Sequence, residues 1–250
     1  MKDLGILAFL AAGAGLALLS SRKDDGGATP DNENDPASPV KLKQKMIGGA
    51  RSSDNVPIII LFHARGQADP DPSSYFPGVN QPARVVMPIS PMRDEGKPVW
   101  FKGRAVDMLD AGKRAAYIAE LENNSLWFSD LPDQIIAKYD PKKTQPVILT
   151  GYSQGGIMAL LLSMETGLPA VSANGAAVAL SNRIGRTTMI NGTDDKTVPF
   201  EFAKAFADAM KEAGNPITFR AVPGVGHSHA QLPYSSAMNE MLTIAKQGNA

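Results

Sequence analysis

The chain has 250 residues with 25 basic and 25 acidic side chains, so its length fits one medium domain, and its charge indicates no nucleic-acid partner. It has no cysteine, which excludes disulfides, thiolate metal sites and a cysteine nucleophile. Its histidines, His63, His227 and His229, are too few for a histidine-rich metal site, and we expect no metal or cofactor.

The N-terminus predicts a membrane anchor followed by a linker. No charged residue occurs from Leu4 to Leu19, and residues 1–21 approach the about 20 positions that a spanning helix needs. An uncleaved anchor is favoured, which makes the protein membrane-associated; the alternative is a cleaved signal peptide and a secreted or periplasmic protein. Residues 22–39 are rich in Pro, Gly, Asp and Asn and predict a disordered linker, so the globular domain comprises 40–250.

Strands and helices are predicted to alternate along the globular domain. Such alternation is typical of a mostly parallel sheet with helices on both faces, whose ligands bind at the carboxyl ends of the strands. The predicted strands are 40–47 (an edge strand), 56–62, 83–88, 146–151, 169–175, 187–192 and 217–222, and the predicted helices are 106–121, 132–139, 154–166, 200–214 and 233–246.

The fourth predicted strand leads into a candidate nucleophile, Ser153. Residues 151–155 read GYSQG and fit G-x-S-x-G, the nucleophile elbow, in which a sharp strand-to-helix turn exposes a serine. Glycines are needed there because side chains would collide where the helix meets the strand. The backbone N–H of Gln154 would face negative charge developing beside the serine. The alternative is a glycine-rich turn in which the serine only caps the helix.

An acid and a base follow in the order that such a fold requires, Ser, then acid, then His. Asp194 and Asp195 come just after one predicted strand, and His227 comes just after the last. Either aspartate could instead be a solvated turn residue or a helix cap. Of the two nearby histidines, His227 is favoured as the base over His229, because it directly follows the G-V-G turn.

Several motifs resemble those of the phospholipase/carboxylesterase branch of the α/β-hydrolases, over about Val56 to Leu242. The resemblance implies an α/β-hydrolase fold without a large cap domain, and it selects Asp195 as the acid of a Ser153–His227–Asp195 catalytic triad. The matching motifs are G-Y-S-Q-G-G at 151–156, G-T-D-D-K-T-V-P at 192–199, G-V-G-H at 224–227 and W-F at 100–101.

Two segments depart from the family pattern. Residues 62–66 read F-H-A-R-G in place of L-H-G-x-G; by resemblance Arg65 supplies the second oxyanion N–H, and His63 braces the loop from below. Residues 173–175 read A-N-G where the family has S-G, so contacts near the substrate are expected to differ.

Aromatic residues are the candidates for substrate contact. Tyr75 and Phe76, near the end of the loop 66–78, either line the acyl or leaving-group pocket or only anchor the loop. Trp100 of the W-F motif is the third candidate. A domain this small has little room for a cap, which favours short or medium acyl chains.

The sequence therefore predicts a serine hydrolase that cleaves carboxylic esters, with thioesters left open, in a small-molecule acyl ester or another acylated substrate. Two alternatives remain: a serine peptidase of the same fold, and a catalytically silent, membrane-tethered binding module.

Overall fold

The computed structural model describes residues 40–67 and 71–248. The predicted anchor, 1–21, and linker, 22–39, lie outside the described residues and stay predictions. Within the described ranges, no helix combines the length and hydropathy needed to cross a bilayer.

A mostly parallel sheet forms the centre of the domain. Its strands, in spatial order, are β1-β3-β2-β6-β7-β8-β9, and only the edge strand β1 runs antiparallel to its neighbour. A separate two-stranded ribbon is formed by β4 and β5. The strands in chain order are β1 (Lys41–Ile47), β2 (Ile58–Phe62), β3 (Ala83–Ile89), β4 (Arg93–Asp94), β5 (Lys97–Pro98), β6 (Val147–Tyr152), β7 (Ala170–Ala173), β8 (Thr187–Gly192) and β9 (Ile217–Val222).

Helices cover both faces of the sheet, because its central strands are apolar on both sides. In β2, Ile58, Ile60 and Phe62 pack into one core, and Ile59 and Leu61 pack into the other. The first core includes side chains of the first four helices, and the second includes those of the last helix. These helices are α1 (Arg114–Trp127), α2 (Leu131–Tyr139), α3 (Gln154–Thr166), α4 (Phe200–Glu212) and α5 (Tyr234–Lys246).

The helix predicted over 106–121 is wrong at both ends. A 3₁₀ turn, Ala105–Leu109, is separated from α1 by a bend at which the Asp110 carboxylate accepts the Gly112 N–H at 2.8 Å. The aspartate and the glycine together favour a turn, and they override the helical spacing of apolar residues. Leu109, which the helical spacing places on the buried face, is 55% exposed.

The ribbon of β4 and β5 was not predicted, although its turn has a recognisable sequence. Glu95 and Gly96 connect the strands with φ values of 51° and 73°. Two positive φ values in a two-residue loop are typical of a type I′ hairpin turn, which favours glycine. The signal was present in "DEGK", but each strand is only two residues long.

Close packing of α3 on the sheet depends on missing side chains. A Cβ added to Gly155 would overlap the carbonyl oxygen of Phe62 in β2, and one added to Gly151 would overlap the backbone of Gly155. The obstacles are backbone atoms, which cannot rotate away. The predicted steric role of these glycines is confirmed, and it fixes the depth at which α3 begins behind Ser153.

We expect Gly155→Ala to lower the free energy of unfolding by about 3 kcal/mol, since overpacking against backbone forces α3 away from the sheet. In an unobstructed helix the same change would stabilise by about 1 kcal/mol. Urea unfolding of the full chain measures the difference. Gly226→Ala is the control, because its Cβ would lie 3.8 Å from the nearest atom. Equal stability of the two variants would contradict the packing argument.

Candidate active site

The candidate catalytic side chains meet at the carboxyl edge of the sheet. Ser153 directly follows β6, while Asp195 and His227 lie on the loops after β8 and β9. These two loops also bind each other, because the Asp194 N–H donates to the Val225 carbonyl at 2.9 Å. The fold therefore brings distant parts of the chain together in a fixed arrangement.

Ser153 has the unusual backbone of a tight strand-to-helix turn. Its φ and ψ are 57° and −123°, a region that costs an L-residue about 1–3 kcal/mol. Hydrogen bonds hold it there: its N–H donates to the Ala173 carbonyl at 2.9 Å, and its carbonyl accepts the Ile157 N–H at 3.0 Å. The turn places the hydroxyl at the N-terminus of α3.

His227 connects the serine to the aspartate. Its Nε2 lies 2.8 Å from Ser153 Oγ, and its Nδ1 lies 2.7 Å from Asp195 Oδ2. The ring is partly covered by Tyr152, whose centroid is 5.0 Å away. Burial and the Asp195 carboxylate raise the pKa of Tyr152 to about 12, so this neighbour stays neutral. An Nδ1–H facing Asp195 would leave Nε2 free to accept the serine proton.

The Asp195 carboxylate is fixed on both sides. Its side chain is fully buried, and Oδ1 accepts the backbone N–H groups of Thr197 at 2.9 Å and Val198 at 3.0 Å. The other oxygen is left for His227. Asp194 is exposed and accepts the Thr193 hydroxyl at 3.0 Å, which is the turn role that aspartate often has.

His229 packs into an aromatic cluster instead of facing the serine. Its ring lies 5.0 Å from the rings of Tyr75 and Tyr234 and 5.4 Å from that of Tyr152, and burial lowers the pKa of His229. The geometry thus places His227, and not His229, beside Ser153.

Arg65, the expected second oxyanion donor, lies in the turn after β2 and lines the same cavity as Ser153. Its guanidinium donates to the Phe101 carbonyl at 3.1 Å and pairs with Asp94. Its backbone N–H meets no acceptor among the described residues. Ala64, which replaces a family glycine, has no positive φ, so its methyl group is tolerated.

Gln154 contributes both its backbone N–H and its side-chain amide to the site, and only the backbone role was predicted from the sequence. As the first residue of α3 its N–H has no intrahelical acceptor, which leaves it available beside Ser153. The role of its side chain was missed: Oε1 accepts the backbone N–H of Trp100 at 2.8 Å, and Nε2 donates to the Phe101 carbonyl at 2.6 Å. Gln154 therefore clamps the W-F segment to the elbow.

Trp100, the third residue predicted to contact substrate, lies in the core of the domain. The side chain is fully buried, its indole N–H donates to the His63 carbonyl at 2.9 Å, and its ring lies against Phe62 and Phe128. The fused ring fills the space beneath the elbow and is not part of the cavity wall beside Ser153.

Tyr75 and Phe76 also lie away from the cavity wall. They are 4% and 3% exposed. The Tyr75 hydroxyl donates to the Gln67 side chain, and the Phe76 ring lies 5.5 Å from that of Tyr234. Both rings anchor the loop instead of lining the cavity.

Asn174 joins the acid and base loops, a role that the sequence did not reveal. Its Oδ1 accepts the Gly192 N–H at the end of β8 at 2.9 Å, and its Nδ2 donates to the carbonyl of Gly226, just before His227, at 3.2 Å. The residue is fully buried and has a φ of 44°, which asparagine tolerates better than most residues. The departure at 173–175 was visible, but its long-range partners were not.

His63 braces the turn after β2. Its Nε2 accepts the Ser90 N–H at 3.1 Å, so Nδ1 carries the proton and donates to the Ala64 carbonyl at 2.8 Å. The ring is fully buried and stacks on Trp100 at 4.8 Å. Burial, aided by the Arg93 charge, lowers the pKa of His63 to about 4, against the offsetting hydrogen bond to Ala64. His63 is therefore neutral at physiological pH.

A cavity of about 400 Å³ opens beside Ser153. Part of its wall is apolar and suits an acyl chain or another hydrophobic group. The apolar side chains that line it are Phe101, Ala105, Val106, Ile157 and Val198.

Known proteins resemble this chain over most of the domain. A family model described as phospholipase/carboxylesterase matches residues 54–243. An acyl-protein thioesterase 1 of Emericella nidulans is 27% identical over 166 residues, which cover 59% of this chain and 68% of that protein. The structure of esterase PE8 has a TM-score of 0.66 at 22% identity and covers 82% of this chain and 100% of its own. The Bacillus cereus carboxylesterase has a TM-score of 0.61 at 16% identity and covers 84% and 95%. These likenesses confirm the predicted α/β-hydrolase fold.

We expect His63 to make the fold less stable between pH 6.5 and about 4. In the unfolded chain this histidine takes up a proton near its ordinary pKa of 6.5, whereas the buried ring resists protonation until about pH 4, so unfolding is favoured as the pH falls through this window. The full difference corresponds to about 3 kcal/mol.

Urea unfolding of the full chain at pH 7.5 and 4.5 measures this loss, with His63→Asn as the comparison. The variant is less stable at both pH values, but its loss between them should be smaller by up to about 3 kcal/mol. His229 titrates in both proteins, so the comparison isolates His63. An identical loss in both proteins would contradict the assignment.

Proposed function

Because the chain belongs to the phospholipase/carboxylesterase family, we propose that it forms a covalent acyl ester on Ser153, with His227 as the base and Asp195 as the acid of the triad. Its similarity to these relatives identifies it as a serine hydrolase of the class that cleaves carboxylic ester or thioester bonds. The observation that supports the acyl-enzyme proposal is the continuous hydrogen-bonded chain through His227. Its Nε2 lies 2.8 Å from Ser153 Oγ, and its Nδ1 lies 2.7 Å from Asp195 Oδ2.

In the first half-reaction, His227 Nε2 accepts the Ser153 proton while Oγ attacks the acyl carbon. Asp195 keeps the other ring proton on Nδ1 and stabilises the imidazolium that forms. The tetrahedral intermediate collapses when His227 donates its proton to the departing alcohol or thiol. The products of this half are the free alcohol or thiol and an acyl ester on Ser153.

The backbone N–H groups of Gln154 and Arg65 are the proposed oxyanion donors. Both residues line the cavity beside Ser153. Each donor of this type stabilises the developing oxyanion by about 3 kcal/mol. The side chains of both residues are engaged with the 101–103 segment, which holds the two amides in place without using them.

In the second half-reaction, water replaces the leaving group. His227 Nε2 accepts a proton from water, the hydroxide attacks the acyl carbon, and collapse returns the proton to Ser153 and releases the acid. The apolar part of the cavity wall suits an acyl chain, and the volume of about 400 Å³ favours one of short or medium length.

The tether through residues 1–21 remains a proposal that rests on the hydropathy of Leu4 to Leu19 alone.

We expect Ser153→Ala to lower kcat for 4-nitrophenyl butanoate by about a millionfold, because no other oxygen replaces the nucleophile. Labelling by a fluorophosphonate should disappear with it. Ser53→Ala, at an exposed position before β2, is the control and should retain both. Labelling or turnover that survives in Ser153→Ala would overturn the mechanism, and a wild-type protein that does neither would support the silent-module alternative.

Asn174 is proposed as a positioning residue, since it touches both loops and no reacting atom. We expect Asn174→Ala to lower kcat about 100-fold with little change in KM, because small displacements of a base are costly in rate. Asn182→Ala, at an exposed position, is the control. If the loss is only structural, activity should follow the folded fraction measured by thermal unfolding. A kcat that recovers in full after this correction would exclude the positioning role.

A further inference from the structure

The cavity beside Ser153 has an uneven distribution of charge. Its lining includes Arg65, Arg104 and Lys196, but no aspartate or glutamate among the described residues. The whole chain carries equal numbers of acidic and basic side chains, so this excess is a property of the site.

Of these cations, Arg65 is already neutralised. Its guanidinium pairs with the Asp94 carboxylate and donates to main-chain carbonyls of the neighbouring segment, including that of Lys102 at 2.9 Å. Arg65 is therefore part of the wall and adds little attraction for a ligand.

Arg104 and Lys196 are free to bind a ligand. Both are exposed, and neither side chain has an ion-pair partner in the part of the chain that the structure describes. The nearest carboxylates along the chain are engaged elsewhere. Asp107 accepts the Arg104 backbone N–H at 2.8 Å and lies 3.8 Å from Lys113 Nζ, and Asp195 holds His227.

The two free cations belong to different segments, and both line the cavity. Arg104 precedes the 3₁₀ turn Ala105–Leu109, and Lys196 follows the proposed triad acid. Between them the wall is apolar, with Ile157 and Val198 among its side chains. An anionic group entering such a partly enclosed, apolar cavity is attracted more strongly than one on an open surface, because less water screens the charges.

We propose that the substrate of this site is an ester or thioester that bears an anionic group, such as a carboxylate, held by Arg104 and Lys196. The inference rests on the proposed function, since it takes the ester bond to be positioned at Ser153. The anionic group can belong to the acyl part or to the leaving group, and the two cases are separated by choice of substrate.

Two matched pairs of substrates test the proposal with the full chain. The first pair places the charge on the acyl part: 4-nitrophenyl hydrogen adipate against its neutral methyl ester. The second places it on the leaving group: 4-(butanoyloxy)benzoate against its methyl ester. The readout is the ratio of kcat/KM for the anionic ester to that for its neutral partner, after subtraction of spontaneous hydrolysis. This ratio is independent of the fraction of folded enzyme.

We expect the ratio in one of the pairs to fall about tenfold when Arg104→Gln and Lys196→Gln are combined, the effect expected from two exposed charge pairs. Raising the salt concentration should lower the same ratio in the wild type, because the charges are screened. The double variant of Lys142→Gln and Lys143→Gln is the matched control, because it also removes two positive charges. Both lysines are exposed but precede β6, at the opposite edge of the sheet, and the ratio for this variant should equal that of the wild type.

The outcomes separate this inference from the proposed function. If neutral esters are hydrolysed and neither ratio changes in the double variant, the anionic preference is overturned and the hydrolase stands. If no ester is hydrolysed and Ser153 does not react with a fluorophosphonate, the proposed function fails and the inference fails with it. An equal fall in the double variant of Lys142→Gln and Lys143→Gln would assign the effect to net charge and overturn the role of the cavity.

Discussion

The site depends on one steric constraint, the contact between the start of α3 and the backbone of β2 and β6. Gly151 and Gly155 allow a helix to begin where any larger residue would overlap main-chain atoms. The chain then has to reverse direction within one residue, and Ser153 takes the positive φ that this requires. The strain persists because the packing around it leaves no alternative, as is common where a backbone is held for chemistry. The first N–H groups of α3, which have no intrahelical acceptors, therefore lie beside the serine.

Around this bend, Gln154 and Arg65 have different roles for their side chains and for their backbone N–H groups. Gln154 uses its amide side chain to hold the segment that carries Trp100, and Arg65 uses its guanidinium to hold the residues that follow. The backbone N–H groups of Gln154 and Arg65 are thereby held in place, although they take no part in these hydrogen bonds. His63 completes the support, because its neutral ring accepts one backbone N–H and donates to a carbonyl while it stacks on the indole. A protonated ring would lose the acceptor that the Ser90 N–H requires, so burial and this hydrogen bond favour the same neutral form.

The sequence predicts the strands and helices that local residue patterns determine, but it does not predict features that depend on contacts between distant parts of the chain. Strands such as Ile58–Phe62 and the helix Gln154–Thr166 follow from apolar runs and glycines, and their positions match the prediction to within two residues. The helix predicted over 106–121 fails, because Asp110 and Gly112 form a turn that the spacing of apolar residues does not register. The sequence also does not show that Trp100 lies in the core and outside the cavity wall, because aromatic type alone cannot separate a buried ring from one in a cavity wall. Asp194 and Asp195 are separated only by resemblance to a family, since both follow the same strand.

Asn174 shows most clearly why part of the site lies beyond a reading of the sequence. The residue belongs to neither the acid loop nor the base loop, and its partners Gly192 and Gly226 are backbone groups, which carry no side-chain signature. Its importance arises because parallel strands end at one edge, so the turn after β7 lies next to the turn after β8. A single amide has both a donor and an acceptor and can bind two loops at once. The geometry between Asp195 and His227 is thus set partly by a neighbouring strand that contributes nothing to the chemistry.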